Sequence, residues 1–310
     1  MSRIHEALKK AEQERAAIQG GVAQPAVTPA AAMEPPVFAE APAIAESETV
    51  ALRAAIPAYG QSFSPESLLD RCPQMQWKPD LETMLFMNGN DSARGTEEYR
   101  TLRSRLYSLR EKMTLRALLV TSALPKDGKS FTAANLAQVL VRQHGRRVLL
   151  VDADLRGPRL HLMLGTTSGP GLTDYLEGKA DEYSIMQRGP VENLFFIPSG
   201  SEIEDPAELI GNGRLKMLFQ RLETLFDWII VDSPPAIPVS DASILAKACD
   251  GVLMVVRSNS TPSDVARRAR MEFPEESLVG VVLNGTSAPT LPYERYYYEA
   301  YEKKGTTAKS

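Results

Sequence analysis

The chain has 310 residues, 43% of them hydrophobic and 24% charged, a balance that suits one large or two small globular domains and excludes a fibrous, collagen-like or wholly disordered protein. Thirty-five Lys and Arg against 39 Asp and Glu leave a net charge of −4 with no long basic run, so bulk charge carries no nucleic-acid footprint and no nucleic acid is expected as a partner. The two cysteines, Cys72 and Cys249, stand far apart, which argues against a disulfide framework or a zinc site and for a reducing cytoplasm.

Residues 2–15 read as a short amphipathic helix, N-capped by Ser2, with Ile4, Ala7, Leu8 and Ala11 at helical spacing. The opening lacks the apolar core of a signal peptide, and no apolar run approaches the roughly 20 residues needed to cross a bilayer. Arg3, Lys9, Lys10 and Arg15 against Glu6, Glu12 and Glu14 leave this helix a charge of only about +1, which suits a protein partner better than an anionic membrane surface. From 16 to 78 the composition shifts to Ala and Pro, and Pro25, Pro29, Pro35, Pro36, Pro42, Pro57, Pro65 and Pro73 interrupt every periodic segment, so a flexible linker is expected.

Beyond Asp80, short apolar runs alternate with longer helical stretches, the signature of repeated βαβ units. Strands are expected at 116–121, 147–152, 194–198, 228–232, 251–256 and 279–283, each a near-continuous Leu, Ile, Val and Phe run that suits a parallel sheet buried on both faces. A helix is expected over 129–144, closed by Gly145, and another starts at Asp205-Pro206-Ala207-Glu208, which resembles a capping box with proline in the first turn. After about Thr286 no period persists, and Tyr293, Tyr296, Tyr297, Tyr298 and Tyr301 cluster. The expected organisation is an N-terminal helix (1–15), a linker (16–78), a nucleotide-binding domain (79–288) and a tyrosine-rich tail (289–310).

The segment LLVTSALPKDGKSFTAANLA, residues 118–137, runs from an apolar strand through a turn into a helix, the context of a phosphate-binding P-loop. Pro125, Lys126, Asp127 and Gly128 form the turn, with Lys129, Ser130 and Phe131 opening the helix. Loop amides and the positive helix end suit phosphate oxygens, Lys129 neutralises the β and γ phosphates, and the Ser130 hydroxyl can ligate Mg²⁺. Ala123 stands where the generic pattern has glycine. Two further strands end on acids: RVLLVDADLR on Asp152 and Asp154, DWIIVDSPP on Asp232. Three carboxylates are thus expected at the carboxyl edge of the sheet, where open α/β folds bind ligands; the plainer role for any one of them is to cap the helix that follows. The fold expected is a three-layer P-loop NTPase with a mostly parallel central sheet.

This set of motifs resembles the bacterial tyrosine kinases of exopolysaccharide and capsule synthesis, over roughly residues 78–301. The resemblance extends to Glu97-x-x-Arg100-x-x-Arg103, similar to the family's oligomerisation helix, to Asp205-Pro206-Ala207-Glu208-Leu209, to Leu283-Asn284, where relatives read adenine, and to the terminal tyrosines. Leu124, in place of the extra lysine of plasmid-partition and division-site ATPases, fits the kinase branch. The resemblance implies ATP and Mg²⁺ as cofactors. Lys129 would hold the phosphates, Ser130 with Asp232 and Asp154 would organise the metal, and one of Asp152 and Asp154 would orient the acceptor hydroxyl, the choice between them left open. It further implies transfer in trans to the tail tyrosines within a ring-shaped homo-oligomer. A membrane chain-length regulator or co-polymerase protein would be the activator, holding the chain at the inner membrane from the cytoplasm, and a cognate tyrosine phosphatase would reverse the mark. From Asn284 to Tyr293 the chain reaches about 30 Å when extended, enough to enter a neighbouring subunit.

The residues also allow a non-kinase ATPase switch that controls partner localisation or assembly, which the tyrosine-rich tail separates from a kinase, or a scaffold without turnover, against which the intact Lys129, Ser130, Asp152, Asp154 and Asp232 stand. Glu97, Arg100 and Arg103 share a helical face and equally suit a surface ion-pair ladder. Arg156 reads as phosphate contact or solvated residue, Asp241 as a helix cap, and His5, His144 and His161 as residues without a ligand role.

Overall fold

The computed structural model describes residues 64–87 and 95–286. The chain divides into two units, the first of which, Met1–Ile56, lies outside the described residues, as do most of the expected linker and the terminal tyrosines. In chain order the described elements are α1 (Pro65–Arg71), α2 (Thr96–Arg110), β1 (Ala117–Ser122), α3 (Lys129–Val141), β2 (Val148–Asp152), α4 (Leu160–Leu164), α5 (Leu172–Leu176), β3 (Gln187–Arg188) and β4 (Leu194–Ile197). They continue with α6 (Pro206–Gly211), α7 (Arg214–Leu222), β5 (Trp228–Asp232), α8 (Asp241–Ala246), β6 (Gly251–Arg257), α9 (Ser263–Arg270) and, after a 3₁₀ turn at Glu275–Ser277, β7 (Leu278–Asn284).

The strands form one seven-stranded sheet in the order β3-β4-β2-β5-β1-β6-β7. All pairs are parallel except β3 with β4. Strand periodicity sends alternate side chains to opposite faces. Ala117, Leu119, Leu149, Val151, Phe195, Ile229 and Val231 join one buried cluster with residues of α5 to α9. Leu118, Val120, Val148, Leu150, Phe196, Trp228 and Ile230 join another with residues of α2, α3 and α4. The result is a helix–sheet–helix sandwich, and it explains why β1, β2, β4 and β5 are buried throughout.

The chain leaves β1 through α3 on one face to reach β2, and leaves β5 through α8 on the other face to reach β6. The crevice at the carboxyl ends of β1 and β5 is therefore a topological switch point, the place where this architecture opens a ligand site.

The N-terminal boundary corrects the linker expectation. Ser64 Oγ accepts from Ser67 N at 3.2 Å and Pro65 sits in the first turn, so α1 starts inside the stretch read as linker. Leu68, fully buried, and Cys72 join one core, and Trp77 joins the other, edge-on to Phe196 at 6.3 Å. Apolar burial outweighs a proline-rich composition here. Residues 75–85 then form a strap: Met75 N bonds Arg188 O at 2.8 Å, Lys78 N bonds Gly165 O at 3.1 Å, and the Asn135 side chain of α3 accepts from Leu85 N and donates to Thr83 O, both at 2.8 Å. At Asp205 the expected cap is present, its carboxylate accepting from Glu208 N.

Candidate nucleotide site

Strand β1 passes into the loop at the switch point. Ser122 Oγ donates to Leu124 O at 2.8 Å, and Asp127, buried although it is acidic, accepts from Leu124 N at 3.0 Å. Lys126 and Gly128 both adopt left-handed backbone, with φ of 70° and 101°. At Gly128 glycine is required twice over, because a Cβ there would stand 2.0 Å from Asn284 Nδ2. Helix α3 begins at the next residue, so its uncompensated N-terminal amides close the loop.

Lys129, the first residue of α3, is buried, and its Nζ lies 2.6 Å from Asp154 Oδ2, 3.2 Å from Ser130 Oγ and 3.9 Å from Asp232 Oδ2. Asp152 and Asp232 are the last residues of adjacent strands and stand in register across the β2–β5 pair. Asp152 Oδ2 accepts from Arg159 N at 3.2 Å and Leu160 N at 3.0 Å, the helix-capping role, while its Oδ1 is buried without a partner. Asp154 Oδ1 accepts from Gly157 N at 3.1 Å. Neither carboxylate oxygen of Asp232 has a hydrogen-bond partner.

This burial has an electrostatic consequence. Desolvation, reinforced by the Asp232 charge, pushes Asp152 up to about 8. Desolvation likewise raises Asp232, to about 6, against the pull of Lys129. Burial alone would lower the Lys129 ammonium, but Asp232 and Asp154 together outweigh it and raise its pKa. Three carboxylates face one ammonium, and three buried carboxylate oxygens lack hydrogen-bond partners, one of them only in ion-pair range of Lys129 at 3.9 Å: a centre still short of positive charge.

Among the described residues no group of three or more acids, thiols or imidazoles is arranged to hold a metal ion by itself. The donors present are hard oxygens with free lone pairs. They fit Mg²⁺, which takes one or two carboxylates and completes its octahedron with water and phosphate oxygens rather than a protein cage.

The other site expectations separate. Asn284, at the end of β7, turns its amide to the loop, Nδ2 donating to Asp127 O at 2.9 Å and Oδ1 accepting from Gly285 N. Phe131 packs its ring against Tyr99 and the core cluster of that face, while Pro125 and Lys126 are exposed. Glu97 pairs with Arg100 on α2, whereas Arg103 reaches back to Val139 O at 3.0 Å near the end of α3, a contact within the fold. Arg156 is exposed to solvent yet paired, and Asp241 is not a cap: the guanidinium grips the buried Asp241 carboxylate bidentately at 2.8 and 3.0 Å. Two contacts escaped the sequence reading. Arg257 Nη1 donates to Lys126 O at 3.2 Å, and Thr261 Oγ1 to Asp127 Oδ1 at 2.6 Å; both join residues more than a hundred positions apart, with no local motif.

A strand, a glycine-closed loop and a helix N-terminus, with lysine and carboxylates at a parallel-sheet switch point, define a P-loop nucleotide-binding protein. Comparison with known proteins narrows this class. Residues 127–262 match the family model described as an AAA domain. The chain is 35% identical over 192 residues to "Tyrosine-protein kinase YwqD" of Bacillus subtilis, covering 61% of this chain and 81% of that protein. It is 34% identical over 209 residues to "Tyrosine-protein kinase CpsD" of Streptococcus agalactiae, covering 65% and 87%. "Tyrosine-protein kinase wzc" of Salmonella typhimurium is 31% identical over 223 residues, but the match spans only 31% of that longer protein. Among solved structures, the kinase domain of Escherichia coli tyrosine kinase ETK superposes with a TM-score of 0.61 at 26% identity, covering 81% of this chain and 100% of that one. The chimerical protein CapA2B2 gives 0.62 at 26%, covering 71% and 97%. The chain belongs to the family of bacterial tyrosine-protein kinases.

Proposed function

We propose that this chain is an ATP-dependent protein-tyrosine kinase that uses Mg²⁺ and modifies its own terminal tyrosines, Tyr293, Tyr296, Tyr297, Tyr298 and Tyr301, in a neighbouring copy. The observation that carries this reading is the Lys129 ammonium held 2.6 Å from Asp154 and 3.9 Å from Asp232 at the mouth of the loop. Phosphoryl transfer asks for little covalent chemistry and depends on positioning and charge neutralisation. Lys129 can exchange Asp154 for a phosphate oxygen without leaving the loop, while the first amides of α3 bind the same phosphates. Ser130 Oγ and the carboxylates of Asp232 and Asp154 would hold the metal, which when bound would neutralise phosphate charge. Asp152 is anchored through Oδ2 by two backbone amides and keeps Oδ1 unpartnered. That supports Asp152 as the group that orients the acceptor hydroxyl and takes its proton as the phosphoryl group is transferred.

The family resemblance supports a role in controlling exopolysaccharide or capsule synthesis and export. The partners would be a chain-length-regulating membrane protein as activator, further copies in a ring while unphosphorylated, and a tyrosine phosphatase. No helix among the described residues is long and apolar enough to cross a membrane, so peripheral attachment on the cytoplasmic side through the activator is the arrangement proposed. The test mixes two proteins that cannot label themselves: the chain ending at residue 286, and full-length Lys129→Met. With ATP and Mg²⁺, phosphotyrosine is expected on the Lys129→Met chain. Label on neither protein, while the full-length wild type labels itself, would exclude transfer in trans.

A further inference from the structure

Thr261 lies in the turn between β6 and α9, 134 positions from the loop residue it touches. Its hydroxyl donates to Asp127 Oδ1 at 2.6 Å, and Asp127 Oδ2 accepts from Leu124 N at 3.0 Å. Asp127 is 2% exposed, so water does not replace either bond, and losing one costs the desolvation of a charged group. The carboxylate is thus a bridge whose two oxygens fasten the start of the loop to a turn on a different strand.

The backbone around Asp127 is fastened in the same direction. Lys126 O accepts from Arg257 Nη1 and Asp127 O from Asn284 Nδ2, at 3.2 and 2.9 Å. Between these tethers Lys126 sits at φ 70°, a conformation a side-chain-bearing residue keeps only where its surroundings over-determine it. Without the Thr261 hydroxyl, Oδ1 becomes a buried anion short of a donor. Helix α3 opens two residues further on without a side-chain cap, so its first amides lack partners, and these are the groups a phosphate would use.

We propose that Thr261 is a positioning residue for nucleotide binding: acting through Asp127, it holds the phosphate loop in its binding shape and keeps an internal carboxylate from competing for the phosphate amides. This rests on the nucleotide reading of the site. It extends the functional machinery to the β6–α9 turn, which carries no nucleotide motif.

The test measures ADP affinity in Mg²⁺ by calorimetry, and unfolding midpoints without nucleotide, for wild type, Thr261→Val, Thr261→Ala and Thr261→Ser. Valine keeps the shape and removes the donor, alanine removes it without adding bulk, and serine restores it. Loss of a bond to a buried charged acceptor predicts ADP binding weakened about tenfold in both the valine and alanine variants, and within about twofold of wild type in the serine variant. A lowered midpoint with unchanged ADP affinity in the valine and alanine variants would show a purely structural residue and overturn the proposal. So would a serine variant as weak as the other two. Absence of ADP binding by the wild type would instead remove the nucleotide reading, and this inference with it.

Discussion

Asp232→Asn is expected to make the nucleotide-free protein more stable while abolishing phosphoryl transfer. Asp232 is fully buried, its carboxylate oxygens lack hydrogen-bond partners, and Asp152 stands in register beside it. A pKa raised from 3.8 to about 6 corresponds to roughly 3 kcal/mol of stability lost once the group is ionised. The substitution removes that charge and with it the repulsion that helps raise Asp152. It also forfeits the attraction to Lys129, which keeps its closer partner Asp154 at 2.6 Å. The net gain is expected at about 1–3 kcal/mol, and the unfolding midpoint should rise by roughly 2–4 °C for each kcal/mol.

The pH dependence supplies the sharper test. Between the unfolded pKa of 3.8 and the folded value of about 6 the native state holds a proton that the unfolded chain has lost. The contribution of Asp232 to wild-type stability therefore falls as pH rises through that window, and Asp152, raised to about 8, extends the fall above it. Thermal unfolding in EDTA should show the variant well above wild type at pH 8, with the gap closing toward pH 4. A variant less stable than wild type at pH 8, or a gap of the same size at both ends, would refute the electrostatic account of this site.

Arg156→Gln strands the Asp241 carboxylate, which is fully buried and bonded at both oxygens. Urea unfolding should show a loss of about 2–4 kcal/mol, much of it recovered by adding Asp241→Asn; additive losses in the double variant would show that the two residues act independently. Leu68→Ala should cost about 2–5 kcal/mol, because Leu68 is fully buried in the core. A loss under about 0.5 kcal/mol would return residues 64–78 to the linker.

How much was legible follows from physics that differs between elements. The six strands that the apolar runs marked are all present; β1, β2, β4 and β5 are buried on both faces and write themselves as consecutive apolar residues, whereas β7, marked by the same kind of run, is an edge strand only partly covered. Strand β3 left no such trace: Gln187 and Arg188 pair antiparallel with Phe196 and Phe195 over two residues, too short for any periodicity. Helix α1 did carry a local signal, Ser64-Pro65-Glu66, an N-cap with proline in the first turn, but the surrounding prolines and alanines outweighed it. Lys129 and the acids were readable because a strand–turn–helix junction fixes them in sequence. Thr261, Arg257 and the Arg156–Asp241 pair were not, since each acts across a gap of 85 or more positions that only the fold closes.

The most direct test of the central claim is to incubate the purified full chain with γ-labelled ATP and Mg²⁺ and map the label by peptide sequencing. Label on tyrosines between 293 and 301, absent from Lys129→Met, is the predicted result. Label that persists in Lys129→Met, or ATP consumed with no tyrosine modified, would contradict it.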